Sequence, residues 1–230
     1  VRLVNGVIAV SDETARSFRE TVGHVDDAVT VVCNAVDIER YPASIDRQAL
    51  RAQLGFEPQD HVMTMVGTFK RQKGHTYLLA AAASVTGQLA NLHIVLVGDG
   101  ELAEDVRARV AALGLGGRVH LLGTRRDVPE LLAASDSFVL PSLWEGLPVA
   151  LVEAMASGLP VIATDVSGTS QVMVAGVTGW VVPPADVGAL ARAMVELVSD
   201  PARASTVAEA ASARAADFGA AAQAEHLVAL

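Results

Sequence analysis

The chain has 230 residues, 51% of them hydrophobic and only 4% aromatic, so a core must be built mainly from Val, Leu, Ile and Ala. A net charge of −9 argues against wholesale binding to nucleic acid or an anionic membrane, and any anionic ligand must be met by local basic groups. The single cysteine, Cys33, excludes an internal disulfide and a cysteine metal cluster, and the six histidines form no H-x-x-x-H pair, so no metal site is expected. Two long uncharged windows, 74–98 and 166–185, are broken by glycines, prolines or polar residues, and neither reads as a membrane span. No signal peptide is visible, and Val1 without a preceding Met points to a missing N-terminus. The expectation is a soluble, cytoplasmic protein.

Taken in order, residues 1–10 form an apolar run with the character of a buried strand, and Ser11 caps a helix over 12–21. A short strand at 29–32 leads into an irregular stretch, and a domain boundary is placed at 34–42. A short helix is expected at 47–54. A regular alternation follows, with strands at 61–67, 92–97, 118–122, 137–140, 161–164 and 180–182. Helices are expected at 74–86, 101–113, 128–134 and after Pro148, then at 187–199, 202–216 and 220–230. Apolar strands alternating with helices of this length predict an α/β fold: a doubly wound, Rossmann-like parallel sheet covered on both faces. Such sheets bind ligands at the C-terminal ends of their strands.

The loops after the strands are therefore the candidate site. The first, Gly67-Thr68-Phe69-Lys70-Arg71-Gln72-Lys73-Gly74, holds both lysines of the chain and runs into a helix. It reads as a phosphate cradle built from charge, free N–H groups and helix dipole, or as an ordinary solvated basic turn. The second, Gly98-Asp99-Gly100-Glu101-Leu102-Ala103, satisfies G-x-G-x-x-A, and Arg125-Arg126 would then suit a 2′-phosphate of NADP. Asp99 and Glu101 oppose that reading, because they place negative charge where a pyrophosphate would approach. Gly123, Thr124 and Arg125 offer backbone groups and a guanidinium plane to a nucleobase, or form an exposed turn. Ser167, Gly168, Thr169 and Gln171 suit an anion, or simply start a helix. His75 reads as structural, and Trp144 as packed beneath its loop.

The stretch 136–160 carries two carboxylates, Glu145 and Glu153, eight positions apart. On one helix they would be roughly 12 Å apart and within about 80° of each other. That is too far to share a proton but suited to gripping two ends of an elongated polar ligand. A solvated loop acid and an exposed helix acid fit the same spacing. No G-x-S-x-G elbow or Cys/His pair is present.

Read together, Val66-Gly67…Lys73-Gly74, Val97-Gly98-Asp99-Gly100, Val119-His120-Leu121-Leu122-Gly123, Val128-Pro129-Glu130-Leu131-Leu132 and Pro141-Ser142-Leu143-Trp144-Glu145-Gly146-Leu147-Pro148 resemble glycosyltransferase family 4. Glu153-Ala154-Met155-Ala156, Gly158-Leu159-Pro160-Val161-Ile162-Ala163-Thr164 and Val177-Thr178-Gly179-Trp180-Val181-Val182-Pro183-Pro184 complete the set. The resemblance implies the C-terminal, donor-binding half of a retaining, two-domain GT-B enzyme. Residues 1–40 would be a remnant of the acceptor-side domain with its linker, 41–218 the nucleotide-sugar-binding domain, and 219–230 a helix crossing back. About 150 residues or more of the N-terminal domain would be absent.

The same resemblance implies the roles. Glu145 would be catalytic, contacting the donor sugar, and Glu153 would bind the ribose. Lys73 would neutralise the diphosphate, helped by backbone groups at Gly146, Leu147, Gly168 and Thr169, with Thr68, Lys70 and Gly98 in the loops around it. The base would sit by Gly123, Thr124, Arg125 and Val128. The implied reaction moves a hexose from a UDP-, GDP- or ADP-sugar to the hydroxyl of a glycan, lipid or small-molecule acceptor, with retention and with no metal or cofactor. Any peripheral membrane contact would run through the absent domain, and the isolated chain would bind nucleotide without turnover. Four positions depart from the family pattern. Thr68 stands where an arginine is usual, which leaves Lys70 or Arg71 to replace it. Ala35 and Pro148 replace glycines, and Gln171 replaces a glutamate.

Overall fold

The computed structural model describes residues 6–22, 29–32, 34–41 and 43–228. Cys33, Pro42, the first half of the expected opening strand and residues 229–230 lie outside the described residues. The strands are β1 (Val7–Ala9), β2 (Val29–Val31), β3 (His61–Val66), β4 (Leu92–Val97), β5 (Val119–Gly123), β6 (Ser137–Leu140), β7 (Val161–Thr164) and β8 (Trp180–Val182). The helices are α1 (Asp12–Val22), α2 (Arg47–Gln53), α3 (His75–Val85), α4 (Ala103–Ala112), α5 (Val128–Ala134), α6 (Val149–Ala156), α7 (Ser167–Val172), α8 (Val187–Ser199), α9 (Pro201–Ala215) and α10 (Ala220–Val228).

The main sheet has six parallel strands in the order β5-β4-β3-β6-β7-β8. Numbered within the sheet this is 3-2-1-4-5-6, the doubly wound order, and its switch point lies between β3 and β6. Alternate strand residues face opposite layers. Met63, Met65, Ile94, Leu96, Val139 and Ile162 pack with α3, α4 and α8, while Phe138, Leu140, Val161 and Ala163 pack with α6 and α9. Both faces are thus covered, which explains why the strands read as continuous apolar runs rather than alternating ones. No described helix is long and apolar enough to cross a membrane.

β1 and β2 form a separate two-stranded parallel sheet joined by α1. The chain then returns to the main domain, where the Val36 amide bonds the Phe218 carbonyl at 2.9 Å. Below the sheet, at the N-terminal strand ends, Asp136 organises a polar clasp. It accepts from Arg51 Nη1 (2.8 Å), from the Val62 amide (2.7 Å) and from Arg47. Burial pushes the Asp136 carboxyl up, but these donors outweigh it and hold it below the usual range.

One expectation is met and another changes. Ser167, Gly168, Thr169 and Gln171, read from sequence as an anion site or a helix start, lie in α7, which begins at Ser167. Helix α6 begins at Val149 with Pro148 as its N-cap, so Glu145 sits on the preceding loop and the single-helix spacing with Glu153 does not apply.

Candidate functional site

Crossover helices keep the loop after β3 and the loop after β6 side by side at the switch point. In the first loop, Phe69 is buried and its ring centroid lies 4.5 Å from that of His75, which anchors the turn. Residues Arg71–Lys73 then make a 3-10 turn ending at Gly74, whose φ of 67° is left-handed. A Cβ on Gly74 would sit 2.0 Å from the Pro141 carbonyl oxygen, so only glycine allows the two loops to approach this closely. Gln72 ties them together. Its carbonyl accepts from the Leu143 amide at 2.7 Å, and its side-chain Nε2 donates to the Trp144 carbonyl at 2.8 Å.

This clamp delivers Lys73 to Glu145. The Lys73 Nζ donates to Glu145 Oε1 at 2.6 Å, and the Ser142 hydroxyl donates to the same oxygen at 2.6 Å. The Glu145 side chain is only 6% exposed and that of Lys73 15%. Both bonds converge on Oε1, and among the described residues Oε2 has no protein partner. Losing either ion from a pair this dry would leave the other uncompensated. From the far side, the Ser167 hydroxyl donates to the Glu145 carbonyl at 3.2 Å. A Cβ on Gly168 would fall 2.1 Å from the Gly146 carbonyl oxygen, so α7 also rests directly on this loop.

Glu153, on α6, is partly buried, and burial raises its carboxyl above the usual range against the opposing pull of Tyr41 and Arg40. The Tyr41 hydroxyl and Arg40 lie close enough to favour the charged carboxylate. Burial, followed by the Glu153 charge, holds the phenol well above its ordinary value. The N-terminal unit borders the same region. Gln171 Nε2 donates to Asp12 Oδ2 at 3.0 Å, and Thr14 and Val10 lie 3.8 Å from where a Gly146 Cβ would be. A glutamate in place of Gln171 would face the Asp12 carboxylate, which gives the glutamine a physical reason.

Other residues singled out from the sequence fall differently. Thr68 and Lys70 are exposed on their loop. Gly98 has a left-handed φ of 137°, and a Cβ there would meet the Gly67 carbonyl oxygen at 2.0 Å, so it serves close packing of two strand ends. The Gly98, Leu102 and Ala103 amides bond to the Gly123, Phe69 and Gly100 carbonyls, and the Gly100 amide bonds to Asp99 Oδ1. These amides are already used, which removes the basis for a dinucleotide cradle there. Gly123 turns left-handed at 67°, Thr124 follows it, and Val128 starts α5 partly buried. Arg125 is held by Asp127 through Nε at 2.8 Å and Nη2 at 2.5 Å, which leaves its Nη1 edge and its guanidinium face for a base.

Thr169 corrects an expectation. It is 1% exposed, and its amide already donates to the Val166 carbonyl, because α7 packs flat against the Glu145–Gly146 backbone. Trp144 corrects another. The loop turns Glu145 inward and leaves the indole 52% exposed. Ser142, Gln72 and Tyr41 carried no role in the sequence reading. A hydroxyl three positions before Glu145 was the one local signal for Ser142, while Gln72 and Tyr41 act across the fold.

A doubly wound parallel sheet with a buried lysine–carboxylate pair at its switch point places this chain in the Rossmann-like α/β class, the fold of GT-B glycosyltransferases. The structure of Anabaena HepE in complex with UDP and glucose matches it with a TM-score of 0.91 at 29% identity, covering 100% of this chain and 64% of that one. The family model of glycosyl transferases group 1 matches residues 46–214, and the chain belongs to that family. Among curated relatives, an Escherichia coli UDP-Gal:alpha-D-GlcNAc-diphosphoundecaprenol alpha-1,3-galactosyltransferase is 35% identical over 176 residues, 75% of this chain and 46% of its own length. D-inositol 3-phosphate glycosyltransferase of Rhodococcus opacus is 33% identical over 228 residues, 94% of this chain and 50% of its own length. The chain therefore spans about half the length of these curated relatives.

Proposed function

We propose that this chain is the donor-binding half of a retaining, family 4 type glycosyltransferase that moves a hexose from a nucleoside-diphosphate sugar to an acceptor hydroxyl. The observation that carries the reading is the convergence of Lys73 and Glu145 at the switch point, at 2.6 Å. In a donor complex Lys73 turns part of its charge to the diphosphate, which becomes more negative as the glycosidic bond breaks, so the interaction strengthens toward the transition state. The unpartnered Glu145 Oε2 accepts hydroxyls of the donor sugar, while Ser142 keeps the carboxylate in place. Glu153 accepts from the ribose hydroxyls, with Tyr41 holding its orientation. Gly123, Thr124 and the face of Arg125 border the base.

The reading assigns charge neutralisation to Lys73 and to the amides of Gly146 and Leu147, and calls on no metal or cofactor. A uridine diphosphate sugar is the favoured donor, because HepE was crystallised with UDP-glucose. The acceptor is held between this domain and an acceptor-side domain, so the chain by itself binds nucleotide without transfer. A panel of UDP-, GDP- and ADP-sugars tests this, through thermal shift of this chain and nucleoside diphosphate release by a full-length form. The expected result is stabilisation by UDP or UDP-sugars and release only by the longer protein. No shift with any nucleotide, or transfer by this chain alone, would overturn it.

A further inference from the structure

Beside the loop after β3 lies a cavity of about 490 Å³, lined also by the start of α3, by α4 and by Leu143. Neither Lys73 nor Glu145 lines it. Its charged lining is Lys70, Arg71 and Arg109 against the single acid Asp105, with His75 and Tyr77 in the wall. In a chain of net charge −9 this is a local excess of positive charge. Among the described residues none of the three side-chain cations has a hydrogen bond or ion pair, as is also true of Arg126 and Arg192, so their charge is open to a ligand. The second observation is His75. It is 3% exposed, yet both Nδ1 and Nε2 lack any partner. A buried ring N–H left unsatisfied is costly, so a polar group brought up to this wall has a reason to bind.

We propose that this cavity is a binding site for a small soluble molecule carrying a phosphoryl group, separate from the donor site. A phosphoryl group supplies acceptor oxygens and negative charge together. Arg71 and Arg109 pair with its oxygens and Lys70 adds a point charge, with the His75 ring buried behind them. The volume lies within the range of small-ligand pockets. The site shares the loop of residues 67–74 with the donor cleft, so its occupant would steady the same loop that presents Lys73. The assignment does not depend on the donor reading.

Inorganic pyrophosphate is the probe, titrated calorimetrically into this chain with and without UDP, alongside Arg109→Glu. Arg109 is an exposed residue of α4, so the variant folds, and a melting curve verifies that. The expected result is pyrophosphate binding that persists with UDP present, falls at least tenfold in Arg109→Glu, and shifts the His75 imidazole resonance in the unsubstituted protein. UDP affinity stays within twofold in the variant. Equal pyrophosphate affinity in the variant, or a stationary His75 resonance, would overturn the site. Displacement of pyrophosphate by phosphatidylglycerol vesicles would overturn the soluble ligand by assigning the phosphoryl group to a lipid. Failure of the donor reading shows separately, as loss of UDP binding alone.

Discussion

Lys73 Nζ and Glu145 Oε1 lie 2.6 Å apart although 72 residues separate them in the chain. The pair joins the two loops that flank the switch point, so it is both a structural tie and the proposed donor contact. Replacing Lys73 by Met should destabilise the fold by about 3 kcal/mol, since a nearly dry carboxylate loses its counter-ion. Lys73→Met/Glu145→Gln should recover much of that loss. Urea unfolding of the two single variants and the double variant measures the coupling. Additive effects would mean that the pair is not energetically joined.

Glu153 should separate stability from binding. Its folded carboxyl is raised by burial, so above the ordinary carboxylate value the unfolded state has released a proton that the folded state still holds. Stability from this group is complete at low pH and declines as pH rises through the folded value. Glu153→Gln should therefore be at least as stable as the parent at pH 7, yet bind UDP about 1–3 kcal/mol more weakly through lost ribose hydrogen bonds. Unchanged UDP affinity by calorimetry would remove Glu153 from the site.

The histidines set the acid side. His61, His75 and His120 are all pushed down, each chiefly by burial, and His75 reaches about 4. Below the ordinary value of about 6.5 the unfolded chain takes up protons that the folded chain refuses. Stability contributed by these groups is thus full above that pH and is lost as pH falls toward the folded values. The urea midpoint should drop between pH 6.5 and 4, and His75→Phe should flatten the drop. A midpoint that is level across this range would contradict the burial of the rings.

Gly74 and Gly55 both have left-handed backbones, with φ of 67° and 82°. An added Cβ at Gly55 meets nothing within 4 Å, whereas at Gly74 it would lie 2.0 Å from the Pro141 carbonyl oxygen. Gly55→Ala should cost about 1–2 kcal/mol from conformation alone. Gly74→Ala should cost clearly more and also weaken UDP binding, because the two loops must separate. Equal costs in chemical denaturation would argue against the close approach.

The sequence by itself determined the strands, most of the helices and the loops that matter. Apolar runs and helix starts are written in neighbouring residues, and an alternating pattern of this length permits little except a covered parallel sheet. It also placed both lysines in one loop and put Glu145 and Glu153 near its opposite number. What only the tertiary structure decided is which groups face one another. Lys73 meets Glu145 because the crossover connections set β3 beside β6, and no local pattern encodes that pairing. Trp144 is left outside and Thr169 inside because α7 lies flat on the Glu145–Gly146 backbone. Tyr41 reaches Glu153 from a linker more than a hundred residues earlier. Lys70, Arg71 and Arg109 line one basic cavity only because the loop after β3 packs against α4. Side-chain partnerships across a sheet depend on strand order and close backbone approach, and these emerge only once the chain has packed.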